Sequence, residues 1–314
     1  MTIRALLDKG LLPFEPRASR SHEVSIMFAF DWAYLHLFKT AIASLAYSSN
    51  FLDSPLVVYT DDRRVLEDKL VQLCADKLVL LEGAKKALLH TLAENHVKRP
   101  ERAEWNKGTF LKWMIFEQQP TDMALFLDVD MIFNEKFDDM LMQVCDRPFN
   151  AVPQFKPHLY KRSDDTLLDK STCFKNFSKA LDAHYTGAML TNINSGLIFL
   201  RKEMLSDDFF REITDFAVAQ GKSVNEQVKF TEYFKRYPRK LRLLSCSYNF
   251  QELFLQRVSN DDARALLKRI HVLHFAGGGK PWTKLPDIAK DSTRLTQGLW
   301  HWHRTLAQPL FSFD

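Results

Sequence analysis

The chain has 314 residues, 46% hydrophobic and 26% charged, with 43 Lys+Arg against 39 Asp+Glu and a formal net charge of +4. That length suits one large domain or two ordinary ones, and that composition excludes general disorder and leaves material for a sizeable core. The small positive balance favours anionic partners without calling for nucleic acid, and no run of about 20 apolar residues offers a membrane-crossing helix.

The four cysteines, Cys74, Cys145, Cys173 and Cys246, make no C-x-x-C pair. Neither a zinc site nor a disulfide framework is suggested, and a reducing compartment fits. The N-terminus lacks the apolar stretch of a signal peptide. A cytoplasmic location is expected, peripheral to a membrane at most.

In chain order, residues 1–22 carry two prolines and several charges and are expected to form an irregular N-terminal extension. Ser25 to Phe30 is a short apolar run ending at Asp31, the length of a buried strand. Residues 33–48 have helical spacing. Leu56 to Tyr59 is a second strand, residues 64–75 a helix, and Lys77 to Leu81 a third strand. Residues 107–118 are helical, and Met123 to Leu127 is a strand that runs into Asp128-Val129-Asp130. Short buried strands alternating with helices predict an α/β fold with a mostly parallel sheet.

Residues 154–187 are polar and basic, with a short helix expected over 173–182. Leu197 to Leu200 is a strand. Residues 206–220 and 224–236 are helical, and a strand over 270–275 meets Gly277-Gly278-Gly279. The tail 283–314 is helical and aromatic-rich.

Four groups of residues can carry chemistry. In an extended chain Asp128 and Asp130 project to the same side, at the carboxyl end of a buried strand, where open α/β sheets bind ligands. A divalent cation relieves their mutual repulsion, and oxygen ligands suit Mg²⁺ or Mn²⁺. The alternative is a solvated strand end. His274 ends a strand beside the glycine loop, which lets backbone N–H groups approach a phosphate, with Lys280 adding a point charge. Its alternative is a buried, hydrogen-bonded histidine next to a turn.

Asn194-Ser195-Gly196 places an amide just before a strand, suited to sugar hydroxyls and equally suited to a turn. Ser223-x-x-Glu226 has the spacing of a capping box, while Glu226 and Gln227 at a helix start could instead face a reacting sugar.

The order and content of these motifs resemble glycosyltransferase family 8, the glycogenin and lipooligosaccharide galactosyltransferase group with a GT-A fold. The matching residues are Phe28-Ala29-Phe30-Asp31, Thr109 to Trp113 with Lys112, Phe126 to Asp130, Asn194-Ser195-Gly196, Glu226-Gln227, Tyr248-Asn249, and His274-Phe275-x-Gly277-x-x-Lys280-Pro281-Trp282. The resemblance covers about residues 23–282. It implies a GT-A, Rossmann-like single domain there, with 154–187 as an acceptor-side insertion. Glu226 stands where the family usually has Asp.

The resemblance further implies a retaining hexosyltransferase that uses a UDP-sugar and Mn²⁺, with Mg²⁺ weaker. Asp128, Asp130 and His274 would hold the metal. Gly277 and Lys280 would contact phosphate, and Phe28, Ala29 and Asp31 would hold the nucleoside. Asn194, Glu226 and Gln227 would surround the transferred sugar, and Lys112 would lie near that sugar and Asp130. The acceptor is open: a glycan, a lipid-linked saccharide or a protein, an anionic or membrane-associated glycan being among the candidates. Two rival functions remain, a sugar-nucleotide-binding protein without turnover and a nucleotidyltransferase of related fold; the second lacks its Gly-rich phosphate loop in residues 23–35. The aromatic, basic Trp300 to Arg304 could touch a membrane surface or pack on its own domain.

Overall fold

A computed structural model of the chain describes residues 2–17, 22–95, 103–182, 192–223, 225–277, 280–283 and 291–313. Its main sheet is built from β1 (Ser25–Ala29), β2 (Leu56–Thr60), β3 (Lys77–Leu80), β4 (Met123–Leu127), β6 (Phe149–Pro153), β7 (Ile193–Arg201) and β8 (Leu241–Leu243). The strand order is β3-β2-β1-β4-β7-β6-β8. β3 to β4 run parallel, β7 lies antiparallel to both β4 and β6, and β8 is parallel to β6. A smaller sheet joins β5 (Met131–Phe133), β10 (Val272–His274) and β9 (Phe250–Gln251) in the order β5-β10-β9.

Both faces of the main sheet are covered, so its strands are apolar at successive positions. Alternation sends Ile26, Phe28, Val58, Leu125 and Leu127 into one core layer with the helix Leu35–Tyr47. It sends Met27, Val57, Tyr59, Ala124 and Phe126 into the other, with the helices Asp207–Ala219 and Glu226–Arg236. Period-2 geometry thus divides each strand between two cores.

Several elements depart from expectation. The N-terminal extension is not wholly irregular: Arg4–Asp8 is a short helix, Ile3 and Leu6 are buried, and Arg4 pairs with Asp53. The helix expected over 64–75 is two, Arg63–Glu67 and Lys69–Cys74. Asp68 divides them: it is extended, caps the second through Val71 N at 3.0 Å, and pairs with the buried Lys39 at 3.0 Å.

The helix placed at 107–118 spans Ala103–Leu111 and tightens into a 3₁₀ turn, Lys112–Phe116. The helix expected over 173–182 begins earlier, at Lys170. The helices Gly83–Asn95 and Asn260–Leu267 and the strands β5, β6, β8 and β9 were not anticipated. Residues 183–187 of the proposed insertion, Val224, Gly278 and Gly279, and 284–290 of the tail lie outside the described residues.

The tail packs on the domain through the helix Asp291–Leu306. Trp300 is buried against Phe275 and Trp282, and His303 is buried, while Trp302 is exposed. Among the described residues no helix is long and apolar enough to cross a membrane.

Burial pushes His303 down to about 3. The folded protein therefore holds this ring neutral while the unfolded chain protonates near 6.5, so stability is full above about pH 6.5 and declines as pH falls toward 3. The slope from this group is about 1.4 kcal/mol per pH unit. Urea melts of the wild type and His303→Leu should diverge by about 2 kcal/mol between pH 6.5 and 5, with the variant losing less. Parallel pH profiles would show that the histidine contributes nothing to acid sensitivity.

Candidate active site

Asp128 follows the last residue of β4, and Asp130 precedes β5. The small sheet brings His274 to them, because β10 pairs antiparallel with β5 and sets His274 opposite Met131. Phe275 N donates to Asp130 O at 2.9 Å, and Asp128 N donates to Gly196 O at 2.8 Å. Both acidic residues are thereby pinned by main chain.

His274 Nε2 lies 3.1 Å from Asp130 Oδ1 and 3.9 Å from Asp128 Oδ2. The other ring nitrogen, Nδ1, is 2.8 Å from Asn249 Oδ1. With the amide oxygen facing it, Nδ1 carries a hydrogen and Nε2 is turned to the two carboxylates. The ligand atoms of Asp128, Asp130 and His274 all lie within 4.8 Å of one another.

The ring has a fitted seat. A Cβ on Gly196 would stand 2.6 Å from His274 Cε1 and 2.7 Å from Nδ1. Two carboxylates and an oriented imidazole form a mixed O/N donor set that fits a divalent ion such as Mn²⁺.

Two lysines approach this cluster from opposite parts of the chain. Lys280 Nζ donates to Asp130 Oδ2 at 2.8 Å and to Phe275 O. Burial alone would raise the Asp130 carboxyl, but His274 and Lys280 overcome it and hold the group well below the usual carboxylate range.

Lys112, on the 3₁₀ turn, is buried. Its Nζ donates to Asp128 Oδ1 and Oδ2 at 3.0 and 3.3 Å and to Ser195 Oγ at 3.1 Å, and lies 3.4 Å from Glu226 Oε1. Burial works against this ammonium, yet Asp128 and Glu226 together hold it above its ordinary value. Asp130 also acts on this ammonium through its charge, as expected from its neighbourhood, while the direct acidic partners are Asp128 and Glu226.

Glu226 settles one open alternative. The helix Glu226–Arg236 is capped by Asn225, whose Oδ1 accepts from Val228 N at 3.3 Å. Glu226 is its first helical residue, turned inward, with Oε1 accepting from Ser195 Oγ at 2.8 Å. The capping box does not form, because the helix starts two residues later than that reading requires. Gln227 follows, half-buried, with its carbonyl accepting from Thr231 Oγ1.

Asn194, Ser195 and Gly196 lie within β7, not in a turn before it. The pairing with β6 slips between Ala151 and Val152, from Ile198 to Asn194, so this stretch bulges. The extra residues aim Ser195 at Lys112 and seat His274 against Gly196. Asn194 Oδ1 accepts from Gly196 N. Asn194 also lines a small pocket with Phe155, Asn249, Gln251 and Phe254.

At the end of β1, Asp31 Oδ1 accepts from Tyr34 N at 3.2 Å, and burial raises its carboxyl. The Phe28 ring belongs to the apolar core against Phe38, so only its backbone remains for a ligand. Ala29 is half-buried at the strand end. Gly277 lies over Leu253 and Glu252. Sequence reasoning missed Ser195 as the link between Lys112 and Glu226, and it missed Glu252; no local pattern marks either.

The sequence profile of Glycosyl transferase family 8 matches residues 25–285. Among curated proteins none matches. The glycosyltransferase GlyE of Streptococcus pneumoniae TIGR4 is similar at 17% identity and a TM-score of 0.54, covering 92% of this chain and 64% of that one. The chain thus spans under two thirds of the GlyE structure. The galactosyltransferase LgtC, solved with donor and acceptor sugar analogs, is similar at 14% identity and a TM-score of 0.55, covering 90% and 95%. The bifunctional glycosyltransferase WbbM is similar at 14% identity and a TM-score of 0.53, covering 94% and 53%. At these identities the likeness is one of fold, the GT-A fold. With the family profile matching most of its length, the chain belongs to glycosyl transferase family 8.

Proposed function

We propose that this protein transfers a hexose from a UDP-hexose to a sugar-bearing acceptor with retention of configuration, using a divalent cation. The observation that carries the reading is the meeting of Asp128, Asp130 and His274 with Lys280 on one side and the buried Lys112–Ser195–Glu226 group on the other. Family membership and the donor and acceptor analogs bound by LgtC support it.

Asp128, Asp130 and His274 would hold the cation, which when bound supplies Lewis-acid stabilisation of the leaving diphosphate. Lys280 and the Gly277 backbone would meet the same phosphates, Lys280 exchanging its bond to Asp130 for one to phosphate. Asp31, with the backbone of Phe28 and Ala29, would hold the nucleoside at the carboxyl end of β1, the usual ligand side of such sheets. Asn194 and Gln227 would bind the hexose.

Lys112 and Ser195 hold the buried Glu226 side chain in place. That carboxylate stabilises the positive charge that develops at the anomeric carbon. In the transfer itself the bond from the anomeric carbon to phosphate breaks, the acceptor oxygen bonds to that carbon on the same face, and the acceptor's proton passes to the departing phosphate oxygen. The exposed Lys170, Lys175 and Lys179 on the helix Lys170–Asp182 favour an anionic acceptor.

Hydrolysis of a UDP-hexose panel tests the donor side without an acceptor. Turnover should vanish in chelator and return better with Mn²⁺ than Mg²⁺, since one ligand is an imidazole and Mg²⁺ prefers oxygen alone. Asp130→Ala should abolish hydrolysis while keeping the wild-type circular dichroism. Full turnover in excess chelator would sink the metal assignment.

Glu226→Gln should lower kcat by roughly 10²-fold or more with little change in donor KM, the pattern of an interaction made mainly in the transition state. Near-wild-type turnover would reduce Glu226 to a structural partner of Ser195.

Gly196→Ala should force the imbalance at His274 into the backbone or the ring, at roughly 1–3 kcal/mol, the usual penalty for an overpacked site. Mn²⁺ titration should show weaker binding in the same variant. Unchanged stability and unchanged metal affinity would mean that the seat is looser than its geometry indicates.

A further inference from the structure

Buried carboxylates with a structural task spend their oxygens. Asp138 is an example: both oxygens take Lys136 Nζ, at 2.7 and 2.8 Å, and the Asp139 and Phe51 amides complete the set. Glu252 is the opposite case. It opens the 3₁₀ segment Glu252–Arg257 directly after β9 and is only 4% exposed. Its Oε2 is buried without a hydrogen-bond partner, and Glu252 forms no ion pair among the described residues.

The register explains where this oxygen points. β9 runs parallel to β10 with Gln251 opposite His274, so Glu252 falls one residue beyond the imidazole. Its Oε2 lies 3.8 Å from the position a Cβ would take on Gly277. Leu253 comes within 3.0 Å of the same position, so only a glycine at 277 leaves this oxygen without a side chain over it. Burial pushes the carboxyl up to about 7, with Lys280 opposing and Asp130 reinforcing the shift.

Two further polar atoms around the same centre are buried and unspent, Glu226 Oε2 and Asn249 Nδ2. Leaving such groups unpaired costs stability, and a protein tolerates that cost where a ligand completes the bonds. Two acceptors and one donor complement a molecule rich in hydroxyl groups.

We propose that Glu252 is a substrate-contacting, specificity-determining residue whose Oε2 accepts a hydrogen bond from a hydroxyl of a sugar bound beside the Gly277 loop. This rests on the glycosyl-transfer reading of the site. The hydroxyl comes either from the donor hexose or from the acceptor sugar, and the experiment separates the two.

Full-length wild type, Glu252→Gln and Glu252→Met are titrated with UDP and with UDP-glucose and UDP-galactose in Mn²⁺. Turnover of the same proteins is then partitioned between hydrolysis and transfer to methyl glucoside and methyl galactoside. Glu252→Met should melt above the wild type, because it removes an unpaired buried carboxyl. If the donor supplies the hydroxyl, the ratio of UDP-hexose affinity to UDP affinity falls roughly 10-fold or more, the scale of a lost charge-assisted hydrogen bond. If the acceptor supplies it, that ratio holds and the share of turnover going to transfer falls by a similar factor.

Ratio and partition both at wild-type values would overturn the proposal while leaving the donor reading standing. A lowered melting temperature with equal loss of UDP and UDP-hexose binding would also overturn it, making Glu252 a structural residue. Failure of the wild type to bind UDP at all would overturn both this proposal and the function it rests on.

Discussion

Opposite charges must share a partly buried space, and the rest of the site follows from that. Asp128, Asp130 and Glu226 converge within reach of Lys112 and Lys280. Removing a carboxylate or ammonium from water costs several kcal/mol, so such groups persist only when each faces a partner of opposite sign. The shifts of Lys112 and Asp130 express this balance. Burial disfavours the charged form of both, yet each is held charged by the other sign of neighbour. Glu226 and Asp128 depend on one ammonium, so the 3₁₀ turn carrying Lys112 is as much a part of the site as the acids themselves.

The scaffold supplies these charges from separated segments with little freedom in any of them. The end of β4 delivers Asp128, locked by its amide to Gly196 O, and the short β5–β10 pairing delivers His274 to Asp130. The bulge in β7 does two things at once: it turns Ser195 toward Lys112 and Glu226, and it leaves only a glycine against the imidazole. A regular strand would present one of those positions to the wrong face, since side chains alternate.

The occupancy of the carboxylates separates the site from a second cluster of ligand-type groups among the described residues. His22, Asp138 and Asp139 also bring three ligand-type groups together, but there Lys136 already occupies Asp138, and His22 Nε2 is the one atom of the three residues left buried without a hydrogen-bond partner. Around His274, Glu226, Glu252 and Asn249 each keep a buried polar atom without a hydrogen-bond partner. Buried polar atoms left without partners carry a cost, and a ligand that supplies the missing bonds removes it.

The sequence by itself determined the α/β class, the strands that form the parallel half of the sheet, and the trio Asp128, Asp130 and His274. These signals are local: apolar runs of strand length, an i, i+2 pair of acids, and a histidine before glycines in a glycine-poor chain. The family resemblance added the order of the motifs. Only the tertiary structure decided that Glu226 turns to Ser195 and Lys112 rather than capping its own helix, because both conformations satisfy the same spacing and the choice depends on a strand 31 residues earlier. It alone showed that Asn194 to Gly196 form a bulge rather than a turn, since a bulge is defined by the neighbouring strand's register. It alone brought Asn249 to His274 and Glu252 to the Gly277 loop. Those contacts exist because β10 pairs with β9, nearer in the chain, and with β5 across a far longer separation, and no local periodicity encodes which distant strand a short segment will meet.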